Sequence, residues 1–564
     1  MSDNISVVEA DKWLNFQLIC KPEQSGKTFV MIRHIIKDLT EPIAGKEIVN
    51  FILCDNNLLL TKQTSARVDT DLKEYYIHDG ICYIELSSHE RTDYHDNAAV
   101  FQAIIAKGAR NVICCTNGIR MDDIYQVVRD INASPFTSGK FHFNVWLDEA
   151  DKFIKFIENT LRPIVEEHTN VNVKLITATP QPLFQKYKYM NVLPIENTTS
   201  ELYHGWADYY KCQSEECKEQ ECYSSPHSHF TKNIKIIEKD GGCLEFVEHI
   251  LSNVAKDNIS PGTKWFIPGK SIKKSHDAIK TLCIEKGMAV LCVNGDGIKL
   301  TLPDTRECIT FLKNDEFNRT IQYIYRKHKL HRFALVITGY ICIGRGITIM
   351  SEEFMIDYAI LSHYSDKNEA SQLAGRVKGN IKGFKNYNPK KPPMIFTTED
   401  FDKVAIEWEG KSKSLAKLAF EKEQKGEATV IDVTDFKTCD KPFKYICHEV
   451  LFPSFEKAKD FLRGKEREMT KEGEKKCKVV ESKNSAIHQR EGYFVTSKLL
   501  KAGKAVADLT KEDRITLEQS KTILASTHIT STKTGSRYLI LPVYDNELSP
   551  PASVKFQVRY IKFD

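Results

Sequence analysis

Two carboxylates close an apolar stretch at Val145–Asp151, which reads Val-Trp-Leu-Asp-Glu-Ala-Asp. The apolar residues predict a β-strand, and Asp148 and Glu149 follow at its end. Carboxylates in this position can hold a divalent metal and a water at the edge of a parallel sheet, where ligands collect. Such a site needs a triphosphate partner, so the stretch predicts a phosphate-binding loop elsewhere in the chain.

A segment that can form this phosphate-binding loop precedes the two carboxylates in the chain. Phe16–Cys20 predicts a short apolar strand, and the turn Lys21–Thr28 (Lys-Pro-Glu-Gln-Ser-Gly-Lys-Thr) leads into a helical pattern over Phe29–Leu39. Backbone N–H groups of such a turn, with the positive end of the helix behind them, surround phosphates. Lys27 can reach the outer phosphates and Thr28 can ligate magnesium. The candidate nucleotide-binding residues of this turn are Gln24, Ser25, Gly26, Lys27 and Thr28.

The bulk composition limits the class of protein. A chain of 564 residues is too long for one core and predicts three or four domains. Hydrophobic residues make up 41% and charged residues 28%, as in ordinary globular proteins. The net charge of +4 is nearly neutral, so a nucleic-acid partner must be argued from local patches and motifs. No apolar run of membrane-spanning length is found, and Met1–Asp11 does not resemble a signal peptide. Sixteen cysteines without secretory features predict reduced thiols in an intracellular protein, cytoplasmic or nuclear.

Small polar residues follow other apolar segments of the first half. Glu47–Cys54, Asn111–Cys115 and Val171–Ile176 predict further strands of a parallel α/β sheet. Small side chains and exposed amides at strand ends suit contacts with a nucleic-acid backbone, although a capped helix start explains the same residues. Thr177 and Thr179 can hydrogen-bond the nearby carboxylates and relay their state to a neighbouring domain. The candidate nucleic-acid contacts in this half are Asn56, Thr116, Gly118 and Arg120.

The second half repeats the alternation of strands and helices. Lys264–Ile267, Met288–Val293 and Phe333–Ile337 predict strands, which indicates a second parallel-sheet domain. Gly295 and Thr338 follow two of these strands and are further candidates for nucleic-acid contact. Downstream, Ser371–Gly379 reads Ser-Gln-Leu-Ala-Gly-Arg-Val-Lys-Gly.

Taken in order, these stretches resemble superfamily 2 helicases of the DExD/H type. Asp148–Asp151 spells the family's DEAD sequence, Thr338–Thr348 resembles its fifth motif, and Gln372–Arg376 matches the Q-x-x-G-R pattern of its sixth. The resemblance extends over residues 10 to 400 and is closer to virus- and phage-type DNA helicases than to cellular RNA helicases. It implies an α/β fold of two tandem RecA-like parallel-sheet domains. Beyond residue 400, Arg537–Tyr544 and Ser553–Phe563 alternate apolar and polar residues and predict two paired strands, which indicates a smaller α+β C-terminal domain.

The resemblance also implies roles for particular residues, with ATP and Mg as cofactors. Lys27 and Thr28 would bind phosphate and magnesium, Asp148 would hold the metal, and Glu149 would orient the attacking water. Thr177 and Thr179 would couple hydrolysis to domain movement. Arg376 would act as an arginine finger on the γ-phosphate. The remaining nucleotide contacts implied in the second domain are Gly346 and Gln372.

Three positions depart from the family pattern. Lys21 replaces the first glycine of the phosphate loop, Thr348 replaces an aspartate two residues past Gly346 in the fifth motif, and Gly379 replaces a second arginine. Lys378 is the candidate substitute for that arginine.

The sequence further predicts four regions. These are residues 1–200 as the first RecA-like domain, 201–240 as a Cys/His-containing connector or insertion, 241–400 as the second RecA-like domain, and 401–564 as an accessory domain. The last contains a basic segment, Lys457–Lys504, with fourteen Lys or Arg against seven Asp or Glu, which can bind nucleic acid or form a solvated face.

The connector raises the question of a zinc site. Thiolates and imidazoles suit tetrahedral zinc, but four residues separate each cysteine from the next and no Cys-x-x-Cys pair is present. This spacing favours reduced cysteines over a structural zinc ion. The residues concerned are Cys212, Cys217, Cys222, His227 and His229.

The function expected from these residues is an ATP-dependent helicase or translocase acting on nucleic acid, with DNA favoured over RNA and no membrane partner. A DEAD-box-like RNA helicase is one alternative. The other is a nucleotide-gated clamp, meaning a protein that binds nucleic acid under nucleotide control without hydrolysis. Polarity, oligomeric state and protein partners do not follow from the sequence.

Overall fold

The computed structural model describes residues 15–41, 43, 45–55, 58–75, 83–86, 96–209, 234–237, 243–311, 317–340, 349–389, 392–479, 487–496, 506–523, 525, 529, 531 and 536–563. The chain forms two compact units. The larger comprises Asn15–Leu183 and Val192–Glu427, and the smaller includes Phe184–Asn191 and Ala428–Asp564. Among the described residues, no helix is both long and apolar enough to cross a membrane.

The first domain of the larger unit is a six-stranded parallel sheet in the order β1-β6-β5-β2-β4-β3. Every residue of β5 is buried, as in parallel sheets covered on both faces. The strands are β1 (Phe16–Cys20), β2 (Glu47–Cys54), β3 (Ile84–Leu86), β4 (Asn111–Cys115), β5 (Phe141–Leu147) and β6 (Val171–Thr177).

The helices of this domain begin close to the ends of its strands. Strand β2 lies beside β5, and the Asp148 amide donates to the Leu53 carbonyl oxygen at 2.9 Å. The helix after β2 therefore begins next to the carboxylates that end β5. The helices described between Lys27 and Lys186 are α1 (Lys27–Thr40), α2 (Leu58–Leu72), α3 (Asn97–Ala106), α4 (Gly118–Ala133), α5 (Ile154–Phe156), α6 (Arg162–Glu167) and α7 (Gln181–Lys186).

The second domain is an eight-stranded sheet in the order β12-β11-β10-β13-β9-β14-β15-β8. Strands β10, β11 and β12 pair antiparallel at one edge, and the remaining pairs are parallel. The strands are β8 (Ile234–Ile237), β9 (Lys264–Phe266), β10 (Ala289–Asn294), β11 (Gly297–Thr301), β12 (Cys308–Phe311), β13 (Leu335–Gly339), β14 (Tyr358–Leu361) and β15 (Met394–Thr398); β7 belongs to the smaller unit.

The expected connector 201–240 contributes to this second domain. Trp206 and Tyr209 lie in its hydrophobic core, and β8 forms an edge of its sheet. The helices of the domain are α8 (Trp206–Tyr209), α9 (Cys243–His249), α10 (Lys273–Glu285), α11 (Phe317–Lys327), α12 (Lys367–Ala374) and α13 (Glu399–Gln424). Two tandem α/β domains are thus present, as the sequence predicts.

Helix α13 crosses the boundary expected at residue 400 and belongs to the larger unit. Its Ser412 hydroxyl lies 3.3 Å from Cys20 Sγ of β1, and the Ala416 carbonyl oxygen accepts from the Ile195 amide at 3.4 Å. Trp408 Nε1 donates to Asn368 Oδ1 of α12 at 2.8 Å. One helix therefore packs on elements of both sheets.

The smaller unit is a separate α+β module. Strands β7 (Tyr189–Asn191) and β16 (Val430–Asp432) pair antiparallel, and the three-stranded sheet has the order β17-β21-β20. The pairing of β20 with β21 confirms the two strands predicted near the C-terminus. Its other elements are β17 (Phe443–Cys447), β18 (Ile487–Arg490), β19 (Tyr493–Thr496), β20 (Tyr538–Val543), β21 (Lys555–Phe563), α14 (Val433–Thr438), α15 (Phe455–Gly464) and α16 (Leu517–Thr522).

Candidate nucleotide-binding cleft

The phosphate loop turns without a glycine at its first position. Gln24 and Gly26 adopt left-handed backbone conformations, with φ of 56° and 93°, whereas Lys21 has no positive φ. Ser25 closes the turn through its hydroxyl, which donates to the Pro22 carbonyl oxygen at 2.7 Å. Because the left-handed positions fall at residues 24 and 26, a lysine at position 21 is tolerated. The loop then leads into α1, whose first residue is Lys27.

Glu149 is the meeting point of the two domains. Lys27 Nζ donates to Glu149 Oε1 at 3.2 Å, and Gln372 Nε2 of α12 donates to Glu149 Oε2 at 3.2 Å. Glu149 is 1% exposed and has a left-handed backbone with φ of 51°. Such a backbone costs energy in a residue other than glycine and is found most often at functional sites.

The charges around this glutamate change the pKa values of the neighbouring ionisable side chains. Burial would lower the pKa of Lys27, but Glu149, Asp148 and Glu23 outweigh burial and raise it. Burial and the adjacent Glu149 raise the pKa of Asp148 to about 6, against the opposing effect of Lys27. One buried carboxylate, Glu149, and one half-buried carboxylate, Asp148, lie beside one ammonium group and therefore form a site that favours additional positive charge.

The two threonines after β6 contact the last carboxylate of the DEAD sequence rather than the first. Thr177 Oγ1 donates to Asp151 Oδ1 at 2.7 Å, and Thr179 Oγ1 donates to Asp151 Oδ2 at 3.0 Å. All three side chains are buried. The geometry links the end of β6 to Asp151, two residues beyond Glu149.

Arg376 lies on the opposite wall of the same cleft. It is 3% exposed, and its Nε donates to the Gln372 carbonyl oxygen at 3.4 Å. The cavity has a volume of about 220 Å³ and lies between the two sheets of the larger unit. The residues proposed from the sequence that line it are Gln24, Gly26, Lys27, Thr28, Asp148, Glu149, Gln372 and Arg376.

The segment Ser371–Gly379 packs directly on the phosphate loop. A Cβ on Gly375 would lie 2.5 Å from Glu23 Cβ, and one on Gly379, whose φ is +135°, would lie 3.1 Å from Gln24 Cβ. No side chain fits at Gly375 without displacing the loop. The second arginine of the family pattern is likewise excluded at Gly379 by both backbone conformation and space.

Lys378 does not take the place of that arginine. Its side chain is completely buried and bonded to Glu23 and Glu409, and it does not line the cleft. The expectation that it could substitute for the missing phosphate contact is therefore wrong, because two carboxylates already neutralise its charge.

Sequence reasoning missed one wall of the cleft, which is formed by α2. The spacing of its lining residues, i, i+3, i+4 and i+7, places them on one face of a helix. This helical spacing after β2 is visible in the sequence, but it does not show which face of the helix lies against the phosphate loop. The residues are Leu60, Gln63, Thr64 and Arg67.

The candidate nucleic-acid contacts lie in different environments. Thr116 is buried and its hydroxyl donates to the Cys54 carbonyl oxygen at 2.7 Å, while the Arg120 guanidinium, 6% exposed, pairs with Asp123 at 2.7 Å. Gly118 begins α4, and Gly295 lies in the open turn between β10 and β11. Thr338 is buried in β13, and its hydroxyl has no hydrogen-bond partner among the described residues.

Some predicted residues lie outside the described part of the chain. These are Asn56, Gly346, Cys212, Cys217, Cys222, His227 and His229. Within the described part, no group of three or more His, Cys, Asp or Glu is arranged to hold a metal. Thr28 and Asp148 nevertheless line one cleft and offer two oxygen donors, a set that suits magnesium bound together with phosphate oxygens.

Comparison with known proteins gives matches of fold only. No family model and no curated protein matches the chain. Solved structures that align with it include Mss116p bound to ssRNA and AMP-PNP (TM-score 0.37, 14% identity, 74% of this chain and 70% of that chain). The DEAD-box helicase Mss116 bound to ssRNA and UDP-BeF aligns with a TM-score of 0.37 and 13% identity over 73% of this chain and 79% of that chain.

The ATP-dependent Type ISP restriction-modification enzyme LlaBIII bound to DNA aligns with a TM-score of 0.40 and 10% identity. The alignment covers 74% of this chain and 30% of that one. Because all three scores lie below 0.5, the function proposed below depends on the residues of the cleft and not on these likenesses.

Proposed function

We propose that this chain is an ATP-dependent, magnesium-requiring helicase or translocase that acts on nucleic acid. The observation that carries the proposal is the composition of one cleft. Lys27, Thr28, Asp148 and Glu149 of the first domain face Gln372 and Arg376 of the second. Phosphoryl transfer requires phosphate-binding cations, a metal-binding carboxylate and a group that orients water, and the residue types in this cleft suit all three roles.

The residues suggest the following division of labour. Lys27 and the loop amides bind the β- and γ-phosphates. Thr28 and Asp148 would hold a magnesium ion, which would supply positive charge next to the phosphate oxygens. Glu149 orients the water that attacks the γ-phosphorus, and Arg376 stabilises the charge that develops on the transferred group. Thr177 and Thr179, which hydrogen-bond Asp151, couple hydrolysis in the cleft to movement of the neighbouring domain.

Nucleic acid is proposed to contact the ends of the strands, near Thr116, Gly118, Gly295 and Thr338. Opening and closing of the cleft during hydrolysis would move one domain along the polymer. DNA is favoured, because Thr338–Thr348 and Gln372–Arg376 resemble virus- and phage-type DNA helicases. A DEAD-box-like RNA helicase is the alternative motor.

A nucleotide-gated clamp is the alternative from another class. Gly379 stands where the family pattern has a second arginine, and Lys378 pairs with Glu23 and Glu409 instead of lining the cleft. The cleft therefore has fewer cations than the family pattern. Intact Lys27, Glu149 and Arg376 favour hydrolysis over a clamp.

Steady-state ATP turnover tests the proposal. Wild type, Glu149→Gln and the control Glu166→Gln, an exposed carboxylate of α6, are titrated with single-stranded DNA, single-stranded RNA or neither. We expect turnover stimulated by DNA, a fall of at least about 100-fold for Glu149→Gln, and no change for the control. Stimulation by RNA alone selects the RNA motor. ATP binding without turnover by any chain overturns the motor and supports the clamp.

A further inference from the structure

Lys378 is a fully buried cation near the cleft, with a side-chain exposure of 0%. Its Nζ lies 2.7 Å from Glu23 Oε2 and 3.1 Å from Glu409 Oε2. Both carboxylates are 3% exposed. A buried lysine requires such partners, because an unpaired charge away from water is strongly unfavourable.

The cluster extends through Glu409 on α13. Lys413 Nζ donates to Glu409 Oε1 at 2.6 Å, and the Trp206 amide donates to Glu409 Oε2 at 2.9 Å. Burial disfavours the charged carboxylate, but Lys378 and Lys413 outweigh burial and lower the pKa of Glu409 to about 2. Two ammonium groups therefore face two carboxylates, and each charge is compensated.

Glu23 belongs to the phosphate loop, and its carboxylate contacts the Ser371–Lys378 segment of the second domain at two points. One carboxylate oxygen accepts from Lys378, and the other accepts a hydrogen bond from the Ser371 hydroxyl. Ser371 and Lys378 stand on either side of the segment that contains Gln372 and Arg376. A single carboxylate thus holds both ends of the segment that supplies the second domain's side of the cleft.

Close backbone packing reinforces the contact. The missing side chain of Gly375 allows the segment to approach Glu23, and the Tyr203 hydroxyl donates to the Glu23 carbonyl oxygen at 3.1 Å. Glu23 precedes Lys27 by four residues in the same loop. A displacement of the Ser371–Lys378 segment would therefore alter the distance between Arg376 and any phosphate bound by Lys27.

We propose that Lys378 is a positioning residue for phosphoryl transfer. With Glu23 and Glu409 it fixes the segment Gln372–Arg376 against the phosphate loop and so places the Arg376 guanidinium at the terminal phosphate. This inference rests on the proposed function, because it assigns Lys378 a role that acts through Arg376. Lys378 itself does not touch the nucleotide.

A double-mutant cycle between Lys378→Met and Arg376→Ala tests the inference. The matched control is Lys174→Met, a half-buried lysine of β6 that hydrogen-bonds Gln17 and does not line the cleft. The quantities measured for each chain are kcat, KM for ATP, the dissociation constant of ADP and the thermal midpoint. Methionine keeps most of the volume of lysine and removes its charge.

We expect Lys378→Met to lower kcat about 100-fold with ADP affinity unchanged, because misplacement of a catalytic group affects the transition state and not ground-state binding. In the Arg376→Ala background the same substitution should lower kcat no further. Lys174→Met should keep the wild-type kcat. Equal losses in both backgrounds, or a wild-type kcat for Lys378→Met, overturn the inference while leaving the proposed function intact.

A double variant, Lys378→Met with Glu23→Gln, controls for loss of folding, because it removes the carboxylate that Lys378→Met leaves without its ammonium partner. This double variant should recover thermal stability relative to Lys378→Met but not kcat. Recovery of both shows that Lys378 has only a structural role. If the wild-type chain turns over no ATP under any condition, the proposed function and this inference fail together.

Discussion

Gln372 of the second domain donates a hydrogen bond to Glu149 of the first, with 3.2 Å between Nε2 and Oε2. The other oxygen of Glu149 accepts from Lys27. The carboxylate proposed to orient water is thus held from both sides of the cleft, and its rotamer depends on both domains.

Gln372→Ala should lower kcat by about tenfold to 100-fold, because Glu149 loses one of the two bonds that orient it. The KM for ATP should change much less. The control is Gln126→Ala, a glutamine on the exposed face of α4 whose side chain donates to its helix neighbour Asp130 at 2.6 Å. A raised KM with unchanged kcat would show that Gln372 contributes to binding instead.

Arg67→Ala should weaken ATP binding about tenfold, because α2 places this guanidinium on the wall of an otherwise carboxylate-rich cleft. Isothermal titration with ADP and with a non-hydrolysable ATP analogue measures the loss. Arg129→Ala, an exposed arginine of α4 outside the cleft, should bind as wild type does. Equal affinities for all three chains would exclude a nucleotide contact by Arg67.

Asp402→Asn should change how stability depends on pH. Burial raises the pKa of Asp402 from 3.8 to about 7, although the Trp206 indole N–H donates to it at 2.8 Å. The protonated form is favoured in the folded state, so this contribution to stability is complete below pH 3.8 and is lost as pH rises through about 7. Asparagine keeps the acceptor oxygen and cannot ionise.

The variant should therefore match wild type near pH 4 and exceed it by up to about 4 kcal/mol in free energy of unfolding near pH 8. Chemical denaturation at both pH values measures the difference. Asp400→Asn, an exposed carboxylate two residues earlier in α13, serves as the control and should show no such trend. A constant difference between Asp402→Asn and wild type at all pH values would contradict the prediction.

Gly410→Ala should stabilise the larger unit by roughly 0.5–1 kcal/mol, since glycine in a helix interior carries an entropic cost. An added Cβ at this position of α13 meets nothing within 4 Å. Gly426→Ala gives the opposite contrast, because its φ of +72° at the end of the same helix is strained for alanine. Thermal unfolding of both variants measures the two signs.

The parts of the cleft that follow from local sequence were predictable. A strand, a glycine-containing turn and a helix are adjacent in the chain, so Lys27 and Thr28 could be placed without knowing the fold. The same holds for Asp148 and Glu149, which stand at the end of an apolar run.

Long-range pairing was not predictable from the sequence. Lys378 meets Glu23 across 355 residues and Trp206 meets Asp402 across 196, and no local pattern encodes either contact. The position of Arg67 in the cleft was not predictable for the same reason. The spacing shows which face of helix α2 carries Arg67, but the element that lies against this face depends on the order of strands β5 and β2. The contact of Thr177 and Thr179 with Asp151, instead of Asp148, depends on the same packing.

Helix α13 has a consequence for unfolding. Because Ser412 and Ala416 contact the first domain while Trp408 contacts α12 of the second, neither sheet can lose its structure without exposing part of this helix. The free energy of the helix is shared by both sheets, which couples their melting. The larger unit should therefore show one calorimetric transition, with the van't Hoff enthalpy equal to the calorimetric enthalpy, where two independent domains would give two.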